Sequence, residues 1–172
     1  LIGGTSTCLL GLSEEEFHVD GVNGTYPNCM YDGTSLLEGG QTAAGSILTW
    51  FKNNLLPAAW MQEAVNRNMN IYDLITEKAS SVPIGCDGLV MMDYFQGNRA
   101  PYADSKARGM FWGLSIGTTP AHLARAVYEG VAYGANHCIV SMKKAGYDVK
   151  EIYACGGLAQ SDFWMQMHAD II

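Results

Sequence analysis

The sequence carries little charge, and its acidic residues outnumber its basic ones. Charged residues make up 16% of the 172 positions, whereas an average soluble domain has about 25%. Seventeen acidic and ten basic residues give a net charge of −7, which argues against a nucleic-acid partner because such a partner needs a basic surface. No apolar run reaches the roughly 18 residues that a membrane-spanning helix requires, so no membrane partner is predicted either.

Several common catalytic patterns are also missing. The chain contains no GxxxxGK[ST] phosphate loop, no GxGxxG dinucleotide loop and no GxSxG nucleophile turn, which excludes the three mechanisms that depend on them. The five cysteines form no CxxC pair and the four histidines are isolated in sequence, so no metal site is predicted. An odd number of widely spaced cysteines is typical of reduced thiols, which indicates a cytoplasmic protein.

Glycine and apolar residues are abundant instead. The chain has 20 glycines and 48% hydrophobic residues, which indicates a folded domain with a core rather than a disordered segment. The first residue falls in a predicted strand and the last in a predicted helix. We therefore expect residues 1–172 to be one domain that is cut at both ends from a longer protein.

The order of the predicted elements is that of an α/β layer domain. Residues 1–13 predict a β-hairpin around a Gly-Gly-Thr-Ser turn, and apolar spacing predicts a helix over 38–54 that ends before Pro57. The remaining patterns predict helices near 60–66, over 71–79 and from 161 onward, and strands over 89–95, 109–116 and 151–155.

One long helix has clear start and stop signals. Thr119 is a good cap, Pro120 suits the first helical position, and Gly146 is typical of a helix end. The apolar positions between them step by three or four residues. Arg125 and Glu129 fall away from that apolar stripe.

Three glycine-containing segments are candidate ligand sites. The hairpin turn at 3–7 offers backbone amides and hydroxyls to an anion, although a tight turn with positive φ explains its glycines as well. Residues 39–45 run into a helix, and the exposed first amides of a helix favour anions, with close helix–sheet packing as the alternative. Residues 155–161 form a strand–Gly–Gly–helix turn of the kind that lines a ligand crevice, and a tight left-handed turn explains it equally well.

The segment GMFWGLSIGTTPAHLARAVYE resembles a long sequence pattern of the FGGY family of carbohydrate kinases. Its matching positions combine small, large apolar, polar and acidic residues in the family's order: Gly109, Phe111, Gly113, Leu114, His122, Leu123, Ala126 and Glu129. These residues could equally serve to pack a strand onto the long helix. The segments GGTSTC, EGGQTAAGSILTW, DYFQGNRAPYADSKARG and ACGGLAQSDFWMQMHADII are also similar to this family, and GTSTC and GNRAP resemble its ribulokinase-like branch.

This resemblance implies a fold, a ligand and a set of contacts. The fold would be an actin/Hsp70/hexokinase-like (ribonuclease H-like) α/β domain, with a mixed sheet and flanking helices. The ligands would be ATP and Mg²⁺, held mostly by backbone groups of a C-terminal nucleotide-binding domain. The nucleotide-binding residues that the resemblance implies are Gly4, Thr5, Ser6, Gly45, Thr49, Gly156, Gly157 and Ser161.

Two features depart from the family or lie outside the chain. Thr49 and Ser161 stand where the neighbouring glycerol kinases have Gln and Asn. Because a hydroxyl reaches less far than an amide, the resemblance does not carry over the contacts that those amides make to the adenine edge. The catalytic base is an Asp that the resemblance places before Leu1, so no catalytic residue is predicted in this chain. Most sugar contacts would come from an N-terminal domain that is absent here, and a homodimer is possible in the full-length protein.

A loop at 97–107 has two interpretations. Asp93, Asn98, Arg99 and Asp104 could face a cleft between domains, or they could belong to a solvated loop held by local hydrogen bonds.

Three hypotheses about function follow. The first is a kinase that phosphorylates a hydroxyl of a sugar such as the pentulose ribulose, with this chain as its nucleotide-binding half and inactive alone. The second is a non-catalytic nucleotide-binding or interaction module on the same fold. The third, an unrelated α/β domain with a glycine-rich core, requires the 109–129 match to be accidental.

Overall fold

The structure, a computed structural model, describes residues 1–172 in full. Seven strands, five helices and two short 3₁₀ segments follow one another along the chain. The strands are β1 (Ile2–Gly3), β2 (Thr7–Ser13), β3 (Asn23–Pro27), β4 (Ser35–Gln41), β5 (Val90–Met92), β6 (Met110–Trp112) and β7 (Cys155–Gly156). The helices are α1 (Gly45–Asn54), α2 (Ala58–Asn66), α3 (Ile71–Ser80), α4 (Pro120–Lys144) and α5 (Asp162–Ile171). The 3₁₀ segments are Cys86–Gly88 and Gly157–Gln160.

Five strands form the main sheet in the order β3-β4-β2-β1-β7. The predicted hairpin is confirmed, because β1 and β2 pair antiparallel with Gly3 opposite Thr7. β2 and β4 pair antiparallel over their whole lengths, whereas β7 runs parallel to β1. The sheet is therefore mixed and has helices beside it, as the α/β prediction requires.

The expected helical start at residue 38 is wrong. Residues 38–41 are the end of β4, where they pair with β2, and α1 begins only at Gly45. Gly40 has φ +143°, and a Cβ there would lie 2.1 Å from the carbonyl oxygen of Thr7. The two backbones thus lie too close for a side chain, and this strand pairing overrides the helical spacing that begins properly at Ala44.

The helices before the second sheet agree with the sequence. α2 and α3 occupy the predicted ranges, and the Asn70 side chain accepts a hydrogen bond from Tyr72 N as the cap of α3. The three later strands are all shorter than predicted. β5 and β6 form a separate antiparallel ribbon of three residues each, and β7 has only two residues.

The long helix α4 begins and ends as its signals predict. Thr119 and His122 form a capping box, Pro120 is the first helical residue, and Gly146 follows the helix with φ +95°. Arg125 and Glu129 lie away from the apolar stripe, but their face of the helix is packed as well. Both are buried, 6% and 3% exposed, since their side chains form an ion pair with Nε 2.7 Å from Oε1.

Helix α4 lies at the centre of the hydrophobic core. Twenty buried residues from the helices, the ribbon and the Gly-Gly turn form the main cluster, with Phe51 and Tyr128 among its largest members. Five more form a second cluster: Leu9, Ala100, Cys138, Ile139 and Met142. No helix combines the length and the apolar character needed to cross a bilayer.

The loop at 97–107 is held by local hydrogen bonds but is only partly solvated. Asn98 is buried, and its side chain donates to Ala100 O and accepts from Tyr102 N. Arg99 forms an ion pair with Glu38 on β4. Asp93, just before the loop, is buried as well, so the solvated interpretation fails for Asp93 and Asn98.

Candidate functional site

The tip of the first hairpin presents polar groups that no other part of the protein uses. Gly4 N donates to Ser6 O over 2.9 Å and closes the turn. Thr5 and Ser6 are exposed at its end. Their two amide nitrogens and their two hydroxyls form no hydrogen bond within the protein. Clustered amide and hydroxyl donors of this kind suit an anion such as a phosphate group.

The glycines of this hairpin are not there for positive φ. Neither Gly3 nor Gly4 has a left-handed backbone, so the tight-turn explanation is wrong for them. A Cβ on Gly3 would lie 2.5 Å from Leu158 Cβ. The glycine at position 3 therefore lets the base of the hairpin pack directly on the Gly-Gly turn.

The start of α1 uses its first amides within the protein. Ala44 N and Ser46 N donate to Thr5 O over 2.9 and 3.1 Å, and Gly45 N donates to Gly4 O over 3.0 Å. The expectation that exposed amides at this helix start bind an anion is therefore wrong, because hairpin carbonyls occupy them. A Cβ on Gly45 would lie 2.6 Å from Gly4 O, which makes close packing the reason for this glycine.

The late Gly-Gly turn packs against the other side of the hairpin. Gly156 pairs with Gly3 in the parallel ladder and has φ +92°, and a Cβ there would lie 2.4 Å from Gly3 O. Its ψ of −166° is outside the left-handed helical region. Gly157 has open space where its Cβ would be, with Gly3 O as the nearest atom at 3.9 Å.

These three segments meet around one groove of about 910 Å³. Six of the eight predicted site residues line it: Gly4, Thr5, Gly45, Thr49, Gly157 and Ser161. Ser6 lies beside it on the hairpin tip, and Gly156 lies beneath the turn as a packing residue. Sequence positions up to 157 residues apart thus come together, and the volume is within the range of small-molecule sites, about 300–1,000 Å³.

The floor of the groove includes residues that the sequence analysis missed. Tyr128 on α4 and Thr76 on α3 share a hydrogen bond of 2.8 Å between their hydroxyls. Burial raises the pKa of Tyr128 to about 12, more than the Thr76 hydrogen bond lowers it. Phe163 and Trp164 of α5 pack edge-on against the Tyr128 ring. This floor is therefore aromatic and uncharged at neutral pH.

Thr49 and Ser161 use their hydroxyls locally. Thr49 Oγ1 donates to Gly45 O over 3.2 Å and lies 3.3 Å from the Tyr72 hydroxyl. Ser161 Oγ accepts from Trp164 N over 3.3 Å as the cap of α5. Both side chains face the groove, but each already has a hydrogen-bond partner.

The groove contains no arginine or lysine among its lining residues, and its ionisable groups include the two acids Asp73 and Asp162. A phosphate chain bound here would therefore rely on backbone amides, hydroxyls and a cation supplied with it.

The mixed sheet and the groove beside its hairpin place the domain in the actin- and hexokinase-like fold class. A xylulose kinase from Rhodospirillum rubrum superposes with a TM-score of 0.82 at 29% identity, over 98% of this chain and 32% of that structure. A gluconate kinase from Lactobacillus acidophilus gives a TM-score of 0.77 at 26% identity, over the same shares of both chains.

The sequence comparisons narrow this class to a family. The profile of the C-terminal domain of the FGGY family of carbohydrate kinases matches residues 1–172. The chain belongs to that family. A ribulokinase of Bacillus licheniformis is 35% identical over 172 residues, 99% of this chain and 31% of the relative. A ribulokinase of Halalkalibacterium halodurans is 36% identical over 169 residues, 98% of this chain and 30% of the relative. The chain thus spans about a third of the length of these relatives.

Proposed function

We propose that this chain is the nucleotide-binding part of a cytoplasmic carbohydrate kinase that transfers the γ-phosphoryl group of ATP to a pentulose such as ribulose. The observation that carries the proposal is the groove itself, a ligand-sized space lined by Thr5 and Gly157. The amides of Thr5 and of the adjacent Ser6 have no partner within the protein. Ribulokinases and xylulose kinases among its relatives support the choice of a pentulose.

The roles of the residues follow from their geometry. The hairpin amides and hydroxyls would hold phosphate oxygens, and Gly157 would leave room for the nucleoside. Mg²⁺, when bound with ATP, neutralises phosphate charge. This neutralisation is needed because no basic side chain lines the groove. The floor of Tyr128, Phe163 and Trp164 provides an apolar wall that excludes water from one side. We propose that the base which deprotonates the sugar lies before Leu1 and that the sugar binds mainly to an N-terminal domain.

The activity is tested with the full-length protein. Mg·ATP and a panel of ketoses and polyols are supplied, and ADP release is measured for each. We expect turnover with ribulose or another pentulose. If no sugar gives ADP above the background hydrolysis, the kinase proposal is wrong.

The location of the nucleotide is tested by calorimetry on the same protein with Thr5→Ala and Gly157→Val. Thr5→Ala removes one free hydroxyl. Gly157→Val adds a side chain at a residue that lines the groove, where its Cβ would contact only Gly3 O at 3.9 Å. We expect saturable binding of Mg·ATP that both variants weaken, the valine more strongly. Unchanged binding in both variants would place the nucleotide elsewhere.

A second candidate is a non-catalytic nucleotide-binding module on the same fold. The hydroxyls of Thr49 and Ser161, which replace longer amides of related kinases, are already engaged within the protein. This module would bind Mg·ATP in calorimetry but give no turnover with any sugar. An upstream sequence that lacks the expected aspartate would point the same way.

A further inference from the structure

A buried hydrogen-bonded node lies behind the hairpin, away from the groove surface. Gln41 Nε2 donates to Asp93 Oδ2 over 2.7 Å and to Val131 O of α4 over 2.9 Å. Gln41 and Asp93 are 4% and 7% exposed. Both hydrogens of the amide nitrogen are therefore used, and each ties the end of β4 to a different part of the chain.

This node is one strand away from the hairpin tip. Gln41 is the last residue of β4 and lies directly opposite Thr7, the residue after Ser6, in the antiparallel ladder. The next residue, Thr42, lies beside Gln96 O and Gly97 O at 3.2 and 3.1 Å from its hydroxyl. The segment between β4 and α1 is thus fixed just before α1 binds the hairpin carbonyls.

Helix α4 has a gap that fits the node. A Cβ on Gly134 would lie 2.4 Å from Gln41 Nε2 and 2.5 Å from Asp93 Oδ2. Glycine inside a helix lowers its stability relative to alanine. Any other residue at position 134 would clash with the side chains of Gln41 and Asp93. The glycine in α4 therefore keeps the space that these two polar side chains occupy.

The node also keeps polar atoms without partners. Thr7 Oγ1 and Gln41 Oε1 are both buried and form no hydrogen bond. Unpaired buried oxygens destabilise a fold, and apolar side chains of similar size would pack here without that loss. Directional hydrogen bonds differ from apolar packing in one respect, since they fix the register of the groups they join.

We propose that Gln41 and Asp93 are positioning residues that hold the phosphate hairpin in place for the nucleotide, an inference that rests on the proposed function. Gln41 fixes the end of β4 against α4 and Asp93. β4 in turn holds Thr7, and α1 holds Gly4 and Thr5 through their carbonyls. Neither Gln41 nor Asp93 lines the groove, so both act through the backbone of the hairpin.

The test uses the full-length enzyme with Gln41→Leu, Asp93→Ala and Asp93→Asn. Gln41→Leu and Asp93→Ala should raise the KM for ATP about tenfold, while the KM for the sugar stays within twofold of wild type. Asp93→Asn keeps an oxygen that accepts from Gln41 Nε2, so the KM for ATP of this variant should be close to that of wild type. Ile139→Val is the matched control, because it trims a buried side chain of the second cluster.

The outcomes separate positioning from stability. Ile139→Val should lower the melting temperature and leave both KM values unchanged. The inference is wrong if Gln41→Leu and Asp93→Ala leave the KM for ATP unchanged, as the control does. It is also wrong if Asp93→Asn raises the KM for ATP as much as Asp93→Ala does. Should Gln41→Leu not fold, the two Asp93 variants decide the matter. A wild-type enzyme without any kinase activity would instead refute the proposed function, and the inference would fall with it.

Discussion

Two regions of this molecule both contain close-packed glycines and differ in what they expose. Around the hairpin, Gly45 and Gly156 let backbones approach so closely that a Cβ would lie 2.6 and 2.4 Å from carbonyl oxygens. Around the β5–β6 ribbon, Gly113 and Gly130 do the same, with 2.3 and 2.4 Å to the carbonyls of Gly88 and Met91. Close packing is therefore the shared reason for these glycines.

The difference lies in the groups left at the surface. The hairpin ends in the free amides and hydroxyls of Thr5 and Ser6. The ribbon exposes apolar side chains instead, including Val90, Met110 and Trp112. The glycines alone thus do not distinguish the two regions, whereas the side chains that each region exposes do.

The largest expected effect comes from a side chain at the hairpin junction. Gly45→Val would push α1 away from Gly4 O, with a loss of about 3 kcal/mol in the free energy of unfolding and loss of Mg·ATP binding. Gly113→Val should cost a similar amount, because its φ is +94° and its Cβ would meet Gly88 O. Binding should survive in this second variant. Urea unfolding measures the stability of each variant, and calorimetry measures its affinity for Mg·ATP. Equal losses of affinity in the two variants would contradict the prediction that only the hairpin region binds the nucleotide.

A smaller effect is expected from the free hydroxyls. Thr5→Ala and Ser6→Ala should each weaken Mg·ATP binding by about 1 kcal/mol, roughly fivefold in Kd, without changing stability. Thr118→Ala is the control near the ribbon, where the hydroxyl accepts from Ser115 N over 2.9 Å. This control should lower stability slightly and leave Kd unchanged. A stability loss in Thr5→Ala would show that its hydroxyl has a partner after all.

The helix caps give a comparison in stability alone. Ser161 caps α5 at the groove, and Thr119 caps α4 beyond the ribbon. Ser161→Ala and Thr119→Ala should each cost about 1 kcal/mol of unfolding free energy. Ser161→Asn should keep the cap, because asparagine is an equally good capping residue. Thermal unfolding of the three variants tests this, and a loss in Ser161→Asn as large as in the alanine variant would contradict it.

The smallest effect is a pH dependence at Asp93, which joins the two regions. Burial raises the pKa of this carboxyl above its ordinary value of 3.8, although the Gln41 hydrogen bond opposes the shift. The folded state therefore binds the proton more tightly than the unfolded chain does. The stability from this group is complete below pH 3.8 and is lost as the pH rises through the raised pKa.

Asp93→Asn cannot titrate at this position. The difference in unfolding free energy between wild type and Asp93→Asn should therefore fall as the pH rises from 3.8 and become constant above the raised pKa. Urea unfolding at a series of pH values measures this difference. A constant difference over the whole range would mean that the carboxyl titrates normally.

Elements with local start and stop signals in the sequence are predicted correctly. The cap at Thr119, the proline after it and Gly146 determine α4 within a few residues of the chain. Local signals of the same kind predict the hairpin at 1–13 and the start of α5. The groove residues came instead from the family resemblance, and the structure brings six of them together.

Contacts between distant residues explain the errors. The end of β4 carries Gly39 and Gly40, and glycine is unfavourable in strands. This segment is a strand only because it pairs with β2. Arg125 is buried because Glu129 and the carbonyl of Val82 receive its guanidinium, the latter 43 residues away. The groove floor depends on a hydrogen bond between residues 76 and 128. Only the i, i+4 spacing of Arg125 and Glu129 is a local pattern, and no local pattern contains the other contacts.

The length of α4 also determines how the molecule opens to solvent. Its 25 residues extend about 37 Å at 1.5 Å per residue, and it supplies Val127 and Val131 to one core cluster and Cys138 and Met142 to the other. Neither cluster can come apart without disturbing the helix they share. Deuterium will therefore enter the central amides of α4 only when the whole domain unfolds, whereas the exposed strand β3 exchanges through local opening.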